Sequence, residues 1–587
     1  MLATLAHRGP DGELVVGDGP ATLGARVHAV LDGAEPPAAL GPLRLVLDGD
    51  ILNGPEVAVS LRARGRPIDG SSQAETLLAA WAEWGPGCLE RLEGTFAFAL
   101  WDGSEQRLHL VRDRLGNRPL YYTSAAGRFR FASEIKALLA DDAVPRVPND
   151  LRVRQYLVFG IADHTEDTLL RGIRQLPVAS YAVVSPERGV ESVRRWHTWR
   201  AVPADGPVGE RVRGLLEDSV ALRLRGAGVV GATLSGGLDS TSVLATAAVL
   251  RRRAGLEPPL AVVSRAADPK IDEWRYASTL LERYDIPCVQ VPPDDEALVR
   301  DFDAFARSLD EPCHGPSVYG HWRTLAAARK AGIDVVLEGQ SGERFGGLAY
   351  WYPNLFYDML RRGRVGAAVR ELVARRRVQG VPVGRSLVDL GKLLLPNAVR
   401  LAHRPPPPWL SPAGRIEPRP FPPRSMLGQH LFDMTVDDHP HLCREVDRDA
   451  AASTLVERSP FQHTAIVEYS LSLPAEVLHR NGWGKAPIIA AMRGIVPDEI
   501  LDRPTKQGFT VDQGRWVQGA FGDEIERVFR SEAARSRPYW DAGAVLRQLA
   551  ETRAGAGSSY ELWRVYSLER WLELVVDPAG AAVPVAA

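Results

Sequence analysis

The 587-residue chain has little cysteine: it contains four, widely spaced and without a CxxC pair. This spacing excludes a zinc cluster built on paired cysteines and argues against a disulfide framework. No apolar run approaches 18 residues, and the first residues show no secretory pattern. We therefore expect a cytoplasmic protein that does not engage a membrane.

The sequence also lacks an excess of charge of either sign. It has 71 basic and 73 acidic residues, for a net charge of −2. Proteins that bind nucleic acid usually carry a positive field, so we expect no nucleic-acid partner. Lysine is scarce, because six lysines leave 65 arginines among the basic residues. Lysine is a compact charge that can donate a proton, so each one is a candidate for chemistry, although we expect most of the six at the surface.

What is present is typical of a globular protein of two or three domains, with 45% hydrophobic and 25% charged residues. Residues 1–200 are rich in short strand patterns that alternate with Gly, Asp and Asn turns, and one helix pattern covers 74–85. We predict stacked antiparallel sheets with a helix packed on one of them. The strand patterns cover 43–49, 96–102, 107–113, 119–124 and 128–133.

Residues 201–580 alternate between helix patterns and short apolar runs, which predicts a parallel sheet with helices on both faces. Ligands in such sheets bind beyond the carboxyl ends of the strands. An insertion at about 360–425 breaks this alternation, with an arginine-rich helical stretch followed by a proline-rich stretch. The arginines form either a solvated helix face or a surface that binds a peptide or another partner.

The strongest motif is the loop Ser235-Gly236-Gly237-Leu238-Asp239-Ser240, between an apolar strand pattern and a helix pattern. Its glycines allow a sharp bend and expose backbone N–H groups, and the helix N-terminus adds partial positive charge, so the loop predicts a phosphate site. An aspartate inside an anion site implies an accompanying Mg²⁺. The loop lacks the lysine of a GxxxxGK[ST] motif, which favours cleavage at the α-phosphate and release of diphosphate.

Further segments follow in a fixed order along the chain. Together with the loop, they resemble the asparagine synthetase family over nearly the whole sequence, and the loop resembles that family's ATP-pyrophosphatase motif. The segments are HRGPDG (7–12), LEGTFAFALWD (92–102), RDRLGNRPLYY (112–122), FASEIKALL (131–139), DExxYA (272–277), DEP (310–312), GERFGG (342–347) and the long segment from 482 to 509.

The resemblance implies an α/β protein of two domains. The first, residues 1–200, would be an Ntn-hydrolase-like, glutaminase-like αββα domain. The second, residues 201–580, would be an ATP-pyrophosphatase domain of the adenine nucleotide alpha hydrolase type, with a doubly wound parallel sheet. ATP and Mg²⁺ are the implied cofactors.

The resemblance also assigns roles to individual residues. Lys506 matches the family's catalytic lysine, and Glu343 is a second catalytic candidate. Asp239 and Glu343 are the candidate Mg²⁺ ligands. The residues expected to bind ATP or its diphosphate are Ser235, Gly236, Gly237, Asp239, Ser240, Val263, Ser264, Gly339 and Lys485.

The first domain departs from the family pattern. A working glutaminase domain carries a cysteine after Met1, and Leu2 stands there in this chain. Asp48 replaces an asparagine, which turns an oxyanion donor into an acceptor, and Gln73 replaces an aspartate. We therefore predict that this domain is inactive and releases no ammonia from glutamine.

The segment 337–347 is one residue shorter than the family pattern and lacks one carboxylate. Aligned from the left, Gln340 replaces the family's glutamate; aligned from the right, Glu343 keeps an acidic position and the aspartate is lost. This puts conversion of aspartate to asparagine in doubt.

Without internal ammonia, the amine has to come from the substrate. Two branches of the family work in this way, the β-lactam synthetases and the lasso-peptide cyclases, and the chain length and the insertion favour the second. We predict ATP-dependent ligation that forms AMP and diphosphate, in which an Asp or Glu side chain of a leader-free core peptide is adenylated and captured by the peptide's N-terminal amine. A leader peptidase and a leader-binding protein are the candidate partners.

Four alternatives remain at this stage. One is a β-lactam synthetase-like enzyme, and another is an asparagine synthetase-like amidotransferase without glutaminase activity; substrate size distinguishes both from a peptide cyclase. A third is a scaffold that has lost catalysis, which the intact SGGLDS loop argues against. A tRNA-modifying enzyme is disfavoured by the neutral charge and the absence of a CxxC pair.

Overall fold

The computed structural model describes residues 1–32, 38–346, 351–397, 399, 406–504 and 512–578. Up to residue 200, the described residues form antiparallel sheets and a few helices. The strands are β1 (Gly12–Asp18), β2 (Ala21–Val27), β3 (Ala38–Leu40), β4 (Leu43–Ile51), β5 (Gly94–Asp102), β6 (Arg107–Arg112), β7 (Tyr121–Ala125), β8 (Arg128–Ala132), β9 (Ile173–Gln175), β10 (Ser180–Ser185) and β11 (Gly189–Arg195). The helices are α1 (Ala29–Asp32), α2 (Gly54–Arg62), α3 (Gln73–Trp84), α4 (Ile135–Leu138) and α5 (Asp150–Phe159).

The strands of this first part form layers covered by helices. A six-stranded sheet has the order β11-β10-β6-β5-β4-β3, and a three-stranded sheet has the order β8-β7-β9. One face of the larger sheet packs on α3 through Leu77 and Trp81, and the other face packs towards β7 through Tyr122. Tyr121, the preceding residue of β7, points the other way, into a core shared with α4 and α5. The predicted strands, the helix at 74–85 and the αββα layering are confirmed.

The second part of the chain alternates strands and helices. Its strands are β12 (Val230–Thr233), β13 (Leu260–Ser264), β14 (Cys288–Val291), β15 (Val335–Leu337) and β16 (Val456–Arg458). Its helices are α6 (Val208–Leu224), α7 (Leu238–Arg253), α8 (Trp274–Tyr284), α9 (Ala297–Leu309), α10 (Ser317–Lys330), α11 (Tyr352–Arg361), α12 (Val365–Gln379), α13 (Val383–Leu394), α14 (Met426–Thr435), α15 (Asp438–Ala452), α16 (Thr464–Ser472), α17 (Ala475–Leu478), α18 (Ala486–Met492), α19 (Asp498–Leu501), α20 (Gln513–Gln518), α21 (Ala520–Phe529), α22 (Glu532–Ser536), α23 (Ala542–Arg553) and α24 (Ser559–Trp571).

The five strands of the second part form one parallel sheet in the order β14-β13-β12-β15-β16. Ala261 and Val263 belong to the core on one face of this sheet, and Val262 belongs to the core on the other. Both faces are therefore covered, as predicted. Strand β16 differs from the prediction, which placed only helix after residue 430, because a three-residue strand carries no readable periodicity.

The insertion at about 360–425 begins at the end of α11 and folds as helices α12 and α13, followed by irregular chain over the described residues 406–424. Most arginines of the arginine-rich stretch are exposed, as expected for a solvated helix face. Arg375 is the exception, because it is buried over the ring of Tyr352, 4.0 Å from its centroid, and donates to Ser386 Oγ at 2.9 Å.

Buried ion pairs join the two parts of the molecule. Arg8, from the HRGPDG segment, contacts Asp447 of α15 at 2.8 Å. Asp50 of β4 pairs with Arg458 of β16 at 2.7 Å. Removing one partner of such a pair leaves a buried charge, which typically costs about 3–5 kcal/mol, so these pairs hold the two parts in one arrangement. No helix among the described residues is long and apolar enough to span a membrane.

Candidate active site

The predicted phosphate loop lies at the carboxyl end of β12 and leads directly into α7. Gly236 has a φ of +73°, and a Cβ there would meet the backbone oxygen of Glu273 at 2.7 Å, so this position requires glycine. The hydroxyl oxygens of Ser235 and Ser240 lie 3.1 Å apart across the loop. Because α7 begins at Leu238, the N–H groups of its first turn lie at the loop, which is an arrangement that binds anions.

A cavity of about 170 Å³ opens beside this loop, at the carboxyl ends of β12, β13 and β15. We call it the nucleotide cavity. It brings together the predicted residues Ser235, Asp239, Ser240, Ser264, Gly339 and Glu343. Its walls also contain Thr233, Leu234, Val262, His321, Thr324, Glu338 and Gln340. Its position agrees with the rule that ligands bind beyond the carboxyl ends of parallel strands.

One predicted residue faces elsewhere. Val263 is 2% exposed and packs in the core on the opposite face of the sheet, whereas its neighbours Val262 and Ser264 line the nucleotide cavity. Successive side chains of a strand alternate between faces, so the side chain of Val263 cannot line the cavity that Val262 lines.

Two glycines of the segment after β15 allow it to approach the loop closely. A Cβ at Gly339 would lie 2.5 Å from the backbone nitrogen of Ser240, and a Cβ at Gly342 would lie 2.5 Å from Cγ of Asp239. Glu343 follows in the single turn of 3₁₀ helix Gly342–Phe345 and lines the same cavity as Asp239. The two predicted Mg²⁺ ligands therefore line the same cavity.

Lys485 is held at the loop. It precedes α18, is 6% exposed, and its Nζ forms an ion pair with Asp239. A buried lysine beside an aspartate in a phosphate loop can donate to the phosphate and to developing negative charge nearby. The predicted catalytic residue Lys506 lies outside the described residues. Among the described lysines, Lys485 is the one whose ammonium group contacts the phosphate loop.

A second cavity, of about 310 Å³, lies on the other side of the loop. We call it the outer cavity. It is lined by Gly236, Gly237, Leu238, Gly346, Tyr352, Gln379, Val381, Trp483, Gly484, Lys485, Ile489, Ile500, Leu501, Arg503 and Pro504. Lys485 lines the outer cavity while its ammonium group contacts Asp239 of the nucleotide cavity, so the loop and this lysine stand between the two spaces.

The segment that leads towards Lys506 is fixed by the DExxYA motif. Arg503 pairs with Glu273 at 2.5 Å, and its guanidinium lies 4.1 Å from the ring centroid of Tyr276. Glu273 also packs against the phosphate loop, since its backbone oxygen would stand 2.7 Å from a Cβ at Gly236. The motif thus connects the loop to Arg503.

Sequence reasoning missed a buried group at the nucleotide cavity. His321 of α10 contacts Glu338 through Nε2 and Asp449 of α15 through Nδ1, both at 2.7 Å. Burial alone would lower the pKa of His321, but the two carboxylates outweigh it and raise this pKa well above its usual value. The two carboxylates therefore favour the charged form of His321. The one available signal was Glu338, which follows β15 directly at the edge where ligands bind.

We expect His321→Gln to destabilise the protein most at low pH. A charged histidine with a raised pKa contributes stability that is fully present below its unfolded pKa, about 6.5, and is lost as the pH rises through the folded pKa. Urea unfolding of wild type and variant should therefore show a difference in unfolding free energy at about pH 6 that shrinks as the pH rises towards the folded pKa. A difference that grows with pH would show that His321 is neutral in the folded protein.

The residues of the nucleotide cavity fit ATP with Mg²⁺. Backbone N–H groups of the α7 N-terminus, two serine hydroxyls and Lys485 are donors for phosphate oxygens. The carboxylates of Asp239 and Glu343 are the hard oxygen ligands that Mg²⁺ prefers. The close approaches at Gly339 and Gly342 keep the backbone near the loop without filling the cavity with side chains.

Comparisons with known proteins identify the family of the chain. The sequence profile of the asparagine synthase family matches residues 211–573, and that of the glutamine amidotransferase domain matches residues 1–197. A putative glutamine-hydrolysing asparagine synthetase of Mycobacterium tuberculosis is 28% identical over 624 aligned positions, covering 98% of this chain and 93% of its own length.

Two proteins of Bacillus subtilis are also similar. Glutamine-hydrolysing asparagine synthetase 1 is 24% identical and covers 98% of this chain and 93% of its own length. Glutamine-hydrolysing asparagine synthetase 3 is 34% identical over a shorter stretch, which covers 44% of this chain and 43% of its own length. The chain belongs to the asparagine synthase family, whose members are ATP-dependent carbon–nitrogen ligases that form AMP and diphosphate.

Proposed function

We propose that this ligase is a lasso-peptide cyclase, which activates a side-chain carboxylate of a core peptide and closes it onto the peptide's own N-terminal amine. The observation that carries the proposal is the outer cavity of about 310 Å³, which lies against the phosphate loop and Lys485. Helix α12 of the insertion contributes Gln379 to its wall, and α11, which precedes the insertion, contributes Tyr352. A folded peptide segment needs such a space next to the activated carboxylate.

The residues of the first domain are unsuited to glutamine hydrolysis, which supports an amine that comes from the substrate. The carboxylate of Asp48 lies 3.1 Å from Arg8, and that of Asp50 pairs with Arg458. A carboxylate accepts hydrogen bonds and cannot donate them, so Asp48 offers no oxyanion donor for glutamine hydrolysis. Oxygen Oε1 of Gln73 accepts a hydrogen bond from the backbone nitrogen of Ile51, so this side chain is engaged with strand β4.

The chemistry proceeds in two steps. A carboxylate oxygen of the peptide forms a bond to the α-phosphorus of ATP, and the bond to the diphosphate breaks. The amine then attacks the acyl carbon, AMP leaves with the bonding electron pair, and the amine loses a proton. When bound, Mg²⁺ neutralises phosphate charge. Lys485 donates to the phosphate and to the oxyanion, and the cavity holds amine and acyl carbon together, which can lower the barrier by roughly 7–11 kcal/mol.

A second candidate is an asparagine synthetase-like amidation of free aspartate with ammonia. It is favoured by the relatives that align over 98% of this chain and are named asparagine synthetases. The two candidates use the same nucleotide cavity and differ in what occupies the outer cavity.

Incubation with ATP, Mg²⁺ and the short peptides encoded beside the gene separates these candidates. We expect AMP, diphosphate and a peptide product that is lighter by one water, with the new amide between the N-terminus and an Asp or Glu side chain. A leader peptidase and a leader-binding protein, our proposed partners, are added in a parallel reaction so that a precursor with its leader is also tested.

Matched substrates serve as controls. An N-acetylated peptide should still support exchange of diphosphate into ATP but should not cyclise, because its amine is blocked. A peptide with Asn in place of the acceptor Asp should do neither. AMP formation with free aspartate and ammonium, and with none of the peptides, would contradict the cyclase proposal and support the second candidate.

A further inference from the structure

A group of two histidines and a glutamate lies apart from the nucleotide and outer cavities. His314 is in the loop between α9 and α10, and His441 and Glu445 stand four residues apart on α15. One nitrogen or oxygen atom of each residue lies within 4.8 Å of those of the others. The two imidazole rings are 4.9 Å apart between centroids. Residues four apart on a helix share one face, so α15 offers both of its groups to the same point.

The two helix residues are deeply buried. His441 is 6% exposed and Glu445 is 1% exposed. Nδ1 of His441 is buried and has no hydrogen-bond partner among the described residues. A buried polar atom left unsatisfied costs about 1–3 kcal/mol, so its presence calls for a ligand.

Glu445 already binds the loop that carries His314. Its carboxylate accepts from the backbone nitrogen of His314 at 3.0 Å and lies 2.7 Å from Nδ1 of the same residue. A metal ion bound between Nδ1 of His314 and the carboxylate of Glu445 replaces the hydrogen that these two groups share. Two ligands at about 2.1 Å from a tetrahedral ion are about 3.4 Å apart, so the His314–Glu445 pair has to open by less than about 1 Å. The side chain of His314 is 34% exposed, which leaves this loop room to move and gives an ion a path in.

The donor set determines the class of ion. Two imidazoles and one carboxylate suit Zn²⁺ and related first-row divalent ions, whereas Mg²⁺ and Ca²⁺ prefer oxygen ligands. Three protein ligands leave one position for water, which the exposed side of His314 can supply. The group is therefore chemically distinct from the carboxylates of the nucleotide cavity.

We propose that His314, His441 and Glu445 form a binding site for a divalent transition-metal ion, best matched by Zn²⁺. This site is separate from the Mg²⁺ site that the ligase reaction requires. It bridges the loop after α9 to helix α15, and the bound ion holds these two elements together.

The test uses the full chain, stripped of metal with a chelator and titrated with Zn²⁺ by calorimetry in the presence of excess Mg²⁺. We expect one Zn²⁺ per chain in the wild type. His441→Ala and His314→Ala should each weaken this binding at least about tenfold. Co²⁺ in place of Zn²⁺ should give visible absorption bands in the wild type that both variants lose.

The control variant is His439→Ala. His439 lies on the same helix but is directed to Cys443, with its Nε2 3.2 Å from the sulfur, and it should leave Zn²⁺ binding unchanged. Circular dichroism verifies that each variant is folded, and His314→Ala is the safer of the two because its side chain is partly exposed. Equal Zn²⁺ binding in wild type and His441→Ala, or no binding by the wild type, would overturn the proposal.

Discussion

Replacing Lys485 with alanine is expected to reduce ATP-dependent AMP formation by about 10²–10³-fold, the usual cost of removing one preorganised donor from a reacting oxyanion. The reason is its position: it lines the outer cavity and its ammonium group is paired with Asp239 of the phosphate loop. The measurement is steady-state AMP release with purified protein. Lys330→Ala is the matched control, because Lys330 is exposed at the end of α10 and should leave the rate unchanged.

The same substitution has a predictable effect on stability. Removing one partner of a buried ion pair costs about 3–5 kcal/mol, so Lys485→Ala should lower the unfolding temperature. The double variant Asp239→Asn, Lys485→Met removes both charges and should recover most of this stability without recovering activity. If the double variant regained AMP formation, Lys485 would act on stability alone. Full activity of folded Lys485→Ala would contradict its place in the reaction.

Gly339→Ala should lower kcat/KM for ATP by about 10²-fold, because displacements of about 1 Å in a reacting geometry have effects of this size. The added Cβ would stand 2.5 Å from the backbone nitrogen of Ser240 and 2.8 Å from the backbone carbonyl carbon of Asp239. Backbone atoms cannot rotate away as a flexible side chain can, so the phosphate loop has to shift. We expect the cost in stability to stay within about 1–3 kcal/mol.

Gly214→Ala is the matched control for this substitution. Gly214 is exposed on α6, and a Cβ there meets no atom within 4 Å. Alanine is favoured over glycine inside a helix, so this variant should gain up to about 1 kcal/mol and keep its kcat/KM for ATP. Equal kcat/KM values for Gly339→Ala and wild type would show that the loop tolerates displacement.

Much of the fold and the site could be predicted from the sequence, because short segments of the chain contain the patterns that indicate the strands, the helices and the phosphate loop. The loop at 235–240 was identified from a strand pattern, two glycines and a helix pattern, and the structure places it at the carboxyl end of β12. The parallel sheet followed from the alternation of strands and helices, and both of its faces are covered. Asp239, Ser264, Gly339 and Glu343 were predicted separately and line one cavity.

The rest depends on contacts between residues that are far apart in the chain. His321 and Asp449 meet only because α10 packs against α15, and no periodicity in either helix reports this contact. Lys485 could have been a surface residue on sequence grounds, and its burial against Asp239 appears only in the folded chain. To predict that Val262 and not Val263 lines the nucleotide cavity, one has to know which residues of β13 face the cavity. A five-residue apolar run does not define this.

The most direct test of the account is to follow oxygen from the substrate carboxylate. A core peptide whose Asp or Glu carboxylate carries ¹⁸O is incubated with the enzyme, ATP and Mg²⁺, and the nucleotide product is examined by mass spectrometry. Attack of the carboxylate on the α-phosphorus predicts AMP that carries one ¹⁸O, together with unlabelled diphosphate. ADP with labelled orthophosphate would contradict the account, because it would place the attack on the γ-phosphate.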